Sequence, residues 1–398
     1  MYEPIRDYEP ILQLVHYSDM HIVGPQFLAQ QLAFQRMAHQ LPVGLRQGVE
    51  GHDPGALQDF EIFVRDCVAL DREWAGRPVW LVDTGDGTTF GDDDSLNLWL
   101  NTWTPRFKFA AAANGVAENR HVCLYGNHDA WPGHHPLVRP ASMEQHRDDL
   151  RLRPAFNVTL PTAPVTTALD GAGAQVQLYV LNAVDHTLAL NVLALGRLTE
   201  DRYWLQGPIP TQAPVNQLVQ EIARAKVGRS GNDLRILAMH YPVPAAATPT
   251  DRATMILSNR KSFGRAMEAS GTPNAPLVHM LLGGHTHRAF PVPGQQPQAL
   301  CSTELPPLAR GVVQGIAGSL SQTPLKGYVP MPDAFHPEAC EAQYPQKFSV
   351  YRIWRRRANA REVLIQRTLI GRPKNGPFAA IPFATKTATG TESTTLTL

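Results

Sequence analysis

The sequence predicts an α/β protein, and three observations support this prediction. Short apolar runs recur along the chain, and runs of this kind are typical of buried strands. A segment with helical periodicity lies between the second and third runs, as in the strand–helix–strand units of α/β folds. Several runs end in a turn that carries Asp, Asn or His. Because sites in α/β proteins form beyond the carboxyl ends of strands, we expect these polar side chains to share one site.

The predicted strands are apolar runs bounded by turn residues. They cover residues 11–17, 78–83, 120–125, 176–182, 233–239, 277–282 and 311–317. Two further strands alternate partly between apolar and polar residues, and a short polar connection between them indicates a hairpin. This hairpin spans residues 348–355 and 361–370.

The predicted helices show the spacing of apolar residues expected for one buried face. They cover residues 26–40, 56–74, 95–113, 215–227 and 262–270, with a short first piece of the fourth at 201–205. The helix at 95–113 should be interrupted near Pro105, and the acids Asp92, Asp93 and Asp94 should cap its start rather than bind a cation.

The remaining segments predict loops and a tail. Residues 41–58 are rich in Gly and Pro, and residues 140–175 and 244–262 have the composition of surface excursions. From residue 385 onward the chain is mostly Thr, Ala, Gly and Ser. We therefore expect one catalytic domain at 1–372 and a Thr-rich, disordered C-terminal tail at 373–398.

Composition excludes several classes of protein. Of 398 residues, 43% are hydrophobic and 18% are charged, so the chain can bury a core and is not disordered as a whole. The net charge of +1 argues against a dedicated nucleic-acid binder. Four cysteines form no CxxC pair, and Cys67 and Cys123 lie in apolar runs as expected of inert core residues. The first apolar run, at 11–15, is too short for a signal or membrane segment, so we expect a cytoplasmic protein.

The polar groups at the strand ends form a repeated pattern. The run before residue 283 ends in Gly-Gly-His-Thr-His, which holds His285 and His287. Two imidazoles that point into one pocket would bind a transition metal, whereas in a solvated loop they would not. The other strand ends that carry possible ligands are Asp19-Met20-His21, Gly85-Asp86, Gly126-Asn127-His128-Asp129 and His240.

Some neighbouring polar residues have a simpler interpretation. Asp83 lies on the strand itself, and we expect it to have a structural role or to orient a ligand. His134 and His135 could contact a substrate phosphate, but surface histidines are equally consistent with this loop.

This series of motifs resembles the signature of the calcineurin-like metallophosphoesterases. The match consists of D-x-H, GD, GNHD, a lone His and GHxH, in that order and each after a predicted strand. It spans residues 12–290. The resemblance implies a four-layer α/β/β/α sandwich, in which two mixed β-sheets are flanked by helices.

The resemblance also implies a dinuclear metal site. Asp86 would bridge the two metals. Its partners at the first metal would be Asp19, His21 and His287. Its partners at the second metal would be Asn127, His240 and His285.

Two further residues receive catalytic roles from the resemblance. His128 would face the substrate phosphate without binding metal, and Asp129 matches the acid that orients this histidine. One departure is Thr89, which stands where many members carry an acid three residues after the GD aspartate. That acid is not an obligatory ligand, so the departure leaves the predicted site intact.

The chemistry of phosphate esters agrees with these roles. Two divalent cations roughly 3.5–4 Å apart neutralise phosphate oxygens and activate a bridging water or hydroxide as nucleophile. A mixed carboxylate, imidazole and amide set suits Mn, Fe or Zn better than Ca or Mg. We expect hydrolysis of a small phosphomono- or phosphodiester, a nucleotide included, with neither membrane nor nucleic acid as partner.

Two alternatives remain at the level of sequence. A nuclease that acts on DNA ends would use the same centre, although the near-neutral charge argues against it. A non-catalytic scaffold would use the same fold, but such members lose ligands or the phosphate-facing histidine, and here the full set is present.

Overall fold

The computed structural model describes the parts of the chain that contain most of the predicted strands. These are residues 7–25, 52–113, 119–129, 131, 163–181, 212–228, 232–241, 276–285, 312–321, 344–373, 376–381 and 391–398. The predicted helices at 26–40, 201–205 and 262–270 and the predicted loop at 244–262 lie outside them.

A mixed sheet, sheet 1, contains seven strands among the described residues. They are β1 (Tyr8–Tyr17), β2 (Val79–Asp83), β3 (Asn119–Cys123), β9 (Gln346–Arg356), β10 (Asn359–Arg372), β11 (Ala379–Ala380) and β12 (Thr391–Thr397). The order is β11-β10-β9-β1-β2-β3, and β12 also pairs with β10. Strands β1, β2 and β3 are parallel, whereas β9 runs antiparallel to both β1 and β10. The predicted hairpin is therefore confirmed as β9 and β10.

A second mixed sheet, sheet 2, has five strands in the described part of the chain. They are β4 (Val165–Ala168), β5 (Gln175–Val180), β6 (Leu234–Ala238), β7 (Met280–Gly283) and β8 (Val313–Ile316), in that order. All neighbours are parallel except β4, which is antiparallel to β5. Strand β4 falls inside the segment predicted as a surface excursion. It was missed because it is short and only partly buried, so its residues show no clear apolar pattern.

The two sheets pack face to face through one hydrophobic cluster. Strand β1 contributes Leu12 and Leu14, while β6 and β7 contribute Ile236 and Leu282 from the opposite sheet, and all four are at most 1% exposed. Burial of each such side chain stabilises the fold by about 1.5–3 kcal/mol. The predicted fold of two mixed sheets with helices is confirmed.

Helical segments cover the other face of sheet 1. Helix α1 (Pro54–Phe63) begins at Asp53, whose side chain accepts a hydrogen bond from the Gly55 N–H. It continues as a π-helical segment at Val64–Val68. Cys67 lies in this segment and is exposed, whereas Cys123 is buried. The prediction of an inert core cysteine therefore holds for Cys123 and is wrong for Cys67.

The helix predicted at 95–113 forms three joined pieces. Helix α2 (Asp93–Asn97) is capped by Asp92, as predicted, and leads into a π-helical segment at Leu98–Trp103 and then helix α3 (Thr104–Ala111). Pro105 lies in the first turn of α3. Because proline has no N–H to donate, it cannot continue the regular α-helical pattern, and the irregular segment lies directly before it.

Helix α4 (Gln212–Lys226) precedes β6 in the chain. Its residues Leu218 and Ile222 are buried in the same cluster as Tyr179 and Leu237 of sheet 2. None of the helices in the described part of the chain has the length and apolar character needed to cross a bilayer.

The C-terminal tail is partly ordered, so the prediction of a disordered tail is wrong for β11 and β12. Strand β12 pairs antiparallel with β10 from Glu362 opposite Thr397 to Thr368 opposite Thr391. Leu396 is 6% exposed and packs into the cluster between the sheets. Exposed and more buried residues alternate along 393–398, as in a half-buried strand, and the low complexity of the segment gives no sign of this.

We expect Leu396→Ala to lower the free energy of unfolding by about 2 kcal/mol, because it removes buried methyl groups from a strand edge. Thr397→Ala, at an exposed neighbouring position, is the matched control and should change stability by less than about 0.5 kcal/mol. Urea unfolding of both variants measures the difference. Equal stabilities would mean that the tail does not pack in solution.

His279 links the amino ends of β6 and β7. Its Nδ1 accepts a hydrogen bond from the Arg235 N–H at 3.0 Å, and burial lowers the pKa of His279 to about 3, with Arg235 and Lys226 contributing. As the pH falls through 6.5, His279 therefore becomes protonated in the unfolded chain but stays neutral in the folded protein. Stability from this group is complete above pH 6.5 and is lost progressively as the pH falls towards 3.

We expect His279→Asn to remove this pH dependence, because its Oδ1 can accept the same hydrogen bond and does not titrate. Between pH 7 and pH 5 the wild type should lose about 2 kcal/mol more stability than the variant. Urea unfolding of both proteins at the two pH values measures this. Parallel losses would show that His279 becomes protonated without cost.

Candidate metal centre

The candidate ligands follow strands from both sheets. Asp19 follows β1, Asp86 follows β2 and Asn127 follows β3 in sheet 1, while His240 follows β6 and His285 follows β7 in sheet 2. These five strands run parallel within their sheets, so their carboxyl ends lie at one edge of each sheet. All five residues are buried. The site therefore lies where the ends of the two sheets meet.

Four candidate ligands have a left-handed backbone. Asp19, His21, Asp86 and His285 have φ values of 55°, 51°, 54° and 69°, and within the described residues they are the non-glycine positions with positive φ. Such conformations cost about 1–3 kcal/mol each and persist where the surroundings enforce them. They turn the chain sharply where each strand leaves its sheet, and strain of this kind is typical of functional sites.

Hydrogen bonds between the loops hold these conformations. The Asp19 N–H donates to the Gly85 carbonyl at 2.9 Å, and the His21 N–H donates to the Asp86 carbonyl at 3.0 Å. The His285 N–H donates to Asp19 Oδ2 at 3.0 Å, which connects the loop of sheet 2 to that of sheet 1. The ligand loops thus brace one another.

Four ligand atoms converge on one position, called position 2 here. His240 Nε2 lies 3.3 Å from Asp86 Oδ2, 3.2 Å from Asn127 Oδ1 and 3.1 Å from His285 Nδ1. The other ring nitrogen of His240, Nδ1, donates to the Thr84 carbonyl at 2.7 Å. This outer hydrogen bond fixes the tautomer so that Nε2 presents its lone pair to a metal. The four residues are those that the resemblance assigns to the second metal.

The hydrogen bonds and charges around Asp86 show whether a cation would fit at this site. Its Oδ1 accepts a hydrogen bond from the His128 N–H at 2.8 Å, but its Oδ2 is buried and accepts no well-formed hydrogen bond. Although burial would raise the pKa of Asp86, the nearby His240, His128 and His21 hold it well below its usual range. Burial alone would lower the pKa of His240, but Asp86 raises it to about 9. A metal cation would replace that proton and satisfy the buried carboxylate, so the residues fit the group.

A second group of ligand atoms, called position 1 here, also includes Asp86. Ligand atoms of His21, Asp86 and His128 lie within 4.8 Å of one another, and His21 Nε2 is 4.0 Å from Asp86 Oδ2. Asp19, also predicted for the first metal, accepts a hydrogen bond from the backbone N–H of His285, a candidate ligand of position 2. His287, the remaining predicted ligand, lies outside the described residues, as do His134 and His135.

His128 lies close enough to position 1 to be counted among its possible ligands, whereas the resemblance assigns it to the phosphate. Its Nδ1 donates to the Thr89 carbonyl at 2.9 Å. Its ring makes an edge-to-face contact with that of His21, with centroids 4.6 Å apart, and stacks on that of Trp131. The sequence gives no sign that Thr89 and Trp131 contact His128, because a backbone carbonyl and a nearby aromatic residue form no recognisable motif.

The role predicted for Asp129, to orient His128, stays a prediction, and the hydrogen bonds of its carboxylate in the described residues are to other groups. Its carboxylate instead accepts hydrogen bonds from the Gly87 N–H, the Gly126 N–H, and the N–H and hydroxyl of Thr88. These donors belong to the loops after β2 and β3. Asp129 thus ties two ligand loops together, and the Thr89 carbonyl takes the partner role at His128.

Asp83 has a structural role, one of the two expected for it. It is fully buried and accepts hydrogen bonds from the Gly85 N–H and from Trp99 Nε1, both at 3.0 Å. Its carboxylate thereby connects the end of β2 to the π-helical segment and supports the turn that presents Asp86.

Comparison with protein families agrees with this geometry. A family model described as calcineurin-like phosphoesterase matches residues 12–289, which include the strand-end motifs. The chain belongs to this family. A comparison with curated proteins finds no match.

Family membership and the two clusters around Asp86 together support a metal-dependent phosphoesterase. In this calcineurin-like phosphoesterase, the candidate ligands of position 2 come from both sheets, and Asp86 belongs to both groups of possible ligands.

Proposed function

We propose that this calcineurin-like phosphoesterase hydrolyses a small phosphomono- or phosphodiester, a nucleotide included, with two divalent metal ions. The observation that carries the proposal is the buried Oδ2 of Asp86, which accepts no well-formed hydrogen bond and lies 4.0 Å from His21 Nε2 and 3.3 Å from His240 Nε2. An oxygen in this setting is a costly feature unless a cation binds it.

The metal ligands follow from the two positions. Asp86, Asn127, His240 and His285 would hold the metal at position 2. Asp19, His21, Asp86 and His287 would hold the metal at position 1. The mixed oxygen and nitrogen donors suit Mn, Fe or Zn. Bound there, two such ions supply Lewis acidity towards phosphate oxygens and lower the pKa of a nearby water.

The remaining side chains orient the substrate and exchange protons. The hydrogen bond to Thr89 commits His128 Nδ1, so a proton exchanged with a substrate passes through Nε2. In this position His128 can protonate the leaving oxygen or stabilise charge on the phosphoryl group. Asn127 contributes no charge, which leaves the centre more positive for an anionic ester than an aspartate would.

The test is a hydrolysis assay of purified protein that has been stripped of metal and reloaded. Mn, Fe, Zn, Co and Ni are each supplied with 4-nitrophenyl phosphate and with bis(4-nitrophenyl) phosphate, and elemental analysis counts the bound metal. We expect two metal equivalents and turnover that EDTA abolishes. Arg65→Ala, which changes an exposed ion pair remote from the motifs, serves as the control and should behave as wild type.

The alternative functions give different outcomes in the same assay. Two bound metals without turnover of any phosphate ester would indicate a scaffold. Cleavage of end-labelled DNA, with neither small ester hydrolysed, would indicate a nuclease. Absence of bound metal would overturn the proposal altogether.

A further inference from the structure

Trp131 stacks on the imidazole ring of His128. The ring centroids are 3.8 Å apart and the planes are inclined by 32°. Trp131 is 4% exposed, so the indole is held in the protein interior rather than presented to solvent. Stacked aromatic pairs favour defined relative orientations of the two rings.

The stack restrains a motion of His128 that the hydrogen bond to Thr89 does not prevent. The hydrogen bond from Nδ1 to the Thr89 carbonyl fixes the direction of one nitrogen, and on its own it restrains rocking of the ring only weakly. The indole lies against one face of the imidazole and blocks this rocking, while His21 meets the imidazole with an edge-to-face contact. The hydrogen bond and the stack together define both the direction and the plane of the ring.

The backbone around Trp131 is itself closely fitted. Its N–H donates to the His128 carbonyl at 3.1 Å, which closes a tight turn between the two residues. Gly91, with a φ of 65°, lies against this turn, and a Cβ at this position would be only 2.3 Å from the Trp131 carbonyl oxygen. The backbone of Trp131 is thus held by contacts with both His128 and Gly91.

We propose that Trp131 is a positioning residue that acts through His128, by holding the imidazole plane so that Nε2 meets the phosphoryl group. This inference rests on the proposed function, in which His128 contacts the substrate. Misplacement of a catalytic group by about 1 Å can reduce a rate by about 100-fold, so a modest stacking interaction can have a large effect on turnover.

Trp131→Leu keeps an apolar side chain but removes the flat ring, and Trp131→Phe keeps a flat ring. We expect Trp131→Leu to lower kcat by about 10- to 100-fold, with KM and metal content unchanged, and Trp131→Phe to retain most of the activity. A loss of bound metal, or equal losses in the two variants, would overturn the inference.

A double-mutant cycle separates positioning from a general structural role. Combined with His128→Ala, Trp131→Leu should cause no further loss of kcat, because the residue through which it acts has been removed. Multiplied losses in the double variant would show that Trp131 acts independently of His128 and would reject the proposal.

A measurement that does not require hydrolysis of a substrate tests the inference independently of the proposed function. In zinc-loaded protein labelled with ¹⁵N-histidine, the His128 signal is assigned by its disappearance in His128→Ala. We expect a slowly exchanging Nδ1–H in the wild type and in Trp131→Phe, and faster exchange in Trp131→Leu. An unchanged signal in Trp131→Leu would refute the inference, even if no phosphate ester were hydrolysed and the proposed function itself had failed.

Discussion

Asp86→Asn should abolish metal-dependent hydrolysis and leave at most one weakly bound metal. The substitution keeps the acceptor for the His128 N–H but replaces the buried, negatively charged Oδ2 of a residue common to positions 1 and 2 with a neutral amide. Loss of groups that merely orient a ligand weakens metal binding by about 10- to 100-fold, and loss of the shared ligand should exceed that range. Elemental analysis and the nitrophenyl phosphate assay measure the two effects.

The same variant should show opposite stability effects with and without metal. A metal at 100 times its dissociation constant stabilises the folded protein by about 2.7 kcal/mol, so the metal-loaded wild type should be more stable than the variant. In EDTA the order should equalise or reverse, because Asn replaces the buried ion pair between Asp86 and protonated His240 with neutral groups. Thermal unfolding under both conditions tests this crossover.

Asp83→Asn is the matched control for Asp86→Asn. Asp83 is another buried carboxylate, three residues earlier, but it accepts hydrogen bonds from Gly85 and Trp99. Its substitution should lower stability equally with and without metal. If Asp83→Asn removed the metals and Asp86→Asn retained them, the assignment of the bridging ligand would be wrong.

His128→Ala should lower kcat by about 10²- to 10⁴-fold while both metals remain bound. The expected loss reflects a proton donor or charge-stabilising group at the phosphoryl centre. The proximity of His128 to position 1 makes metal content the decisive measurement. Loss of one metal equivalent in His128→Ala would reassign this histidine as a ligand.

A comparison of two phosphate esters distinguishes two possible roles of His128. If His128 protonates the leaving oxygen, His128→Ala should impair hydrolysis of phenyl phosphate more than that of 4-nitrophenyl phosphate, whose leaving group needs less help. His240→Ala, which removes a ligand of position 2, is the contrasting variant and should impair both substrates through loss of metal. Equal losses for the two esters in His128→Ala would assign it to charge stabilisation instead.

The sequence was sufficient to predict the strands that carry the site, because each is an apolar run that ends abruptly in a polar turn. The predicted run at 78–83 corresponds to β2 at Val79–Asp83, and the run at 233–239 to β6 at Leu234–Ala238. The motif order groups Asn127, His240 and His285 with Asp86, and the distances from His240 Nε2 to the other three residues agree with this grouping. The apolar runs and the series of motifs therefore indicate the same strands and the same site residues.

Features that depend on tertiary contacts were not predictable in this way. The partner of His128 is a backbone carbonyl, and every residue has one, so Thr89 gives no signal. Asp129 adjoins His128 in sequence, yet its carboxylate turns towards backbone donors in two loops. Strand β12 was missed because its threonines form a strand only through pairing with β10.

The glycine of the GNHD motif shows how a motif residue is explained only by the folded chain. A Cβ on Gly126 would lie 2.0 Å from Asp86 Oδ1, so a larger residue would displace the candidate bridging carboxylate. The sequence indicates a turn at this glycine, but the reason for its small size is a contact with a residue forty positions earlier.

The division of position 2 between the two sheets has a consequence for assembly of the protein. Asp86 and Asn127 come from one sheet and His240 and His285 from the other, so neither half of the chain carries a complete set of ligands. High-affinity metal uptake would therefore be restricted to molecules in which both halves have docked. The ion would then bind only at a late stage of folding, and it would link the two sheets.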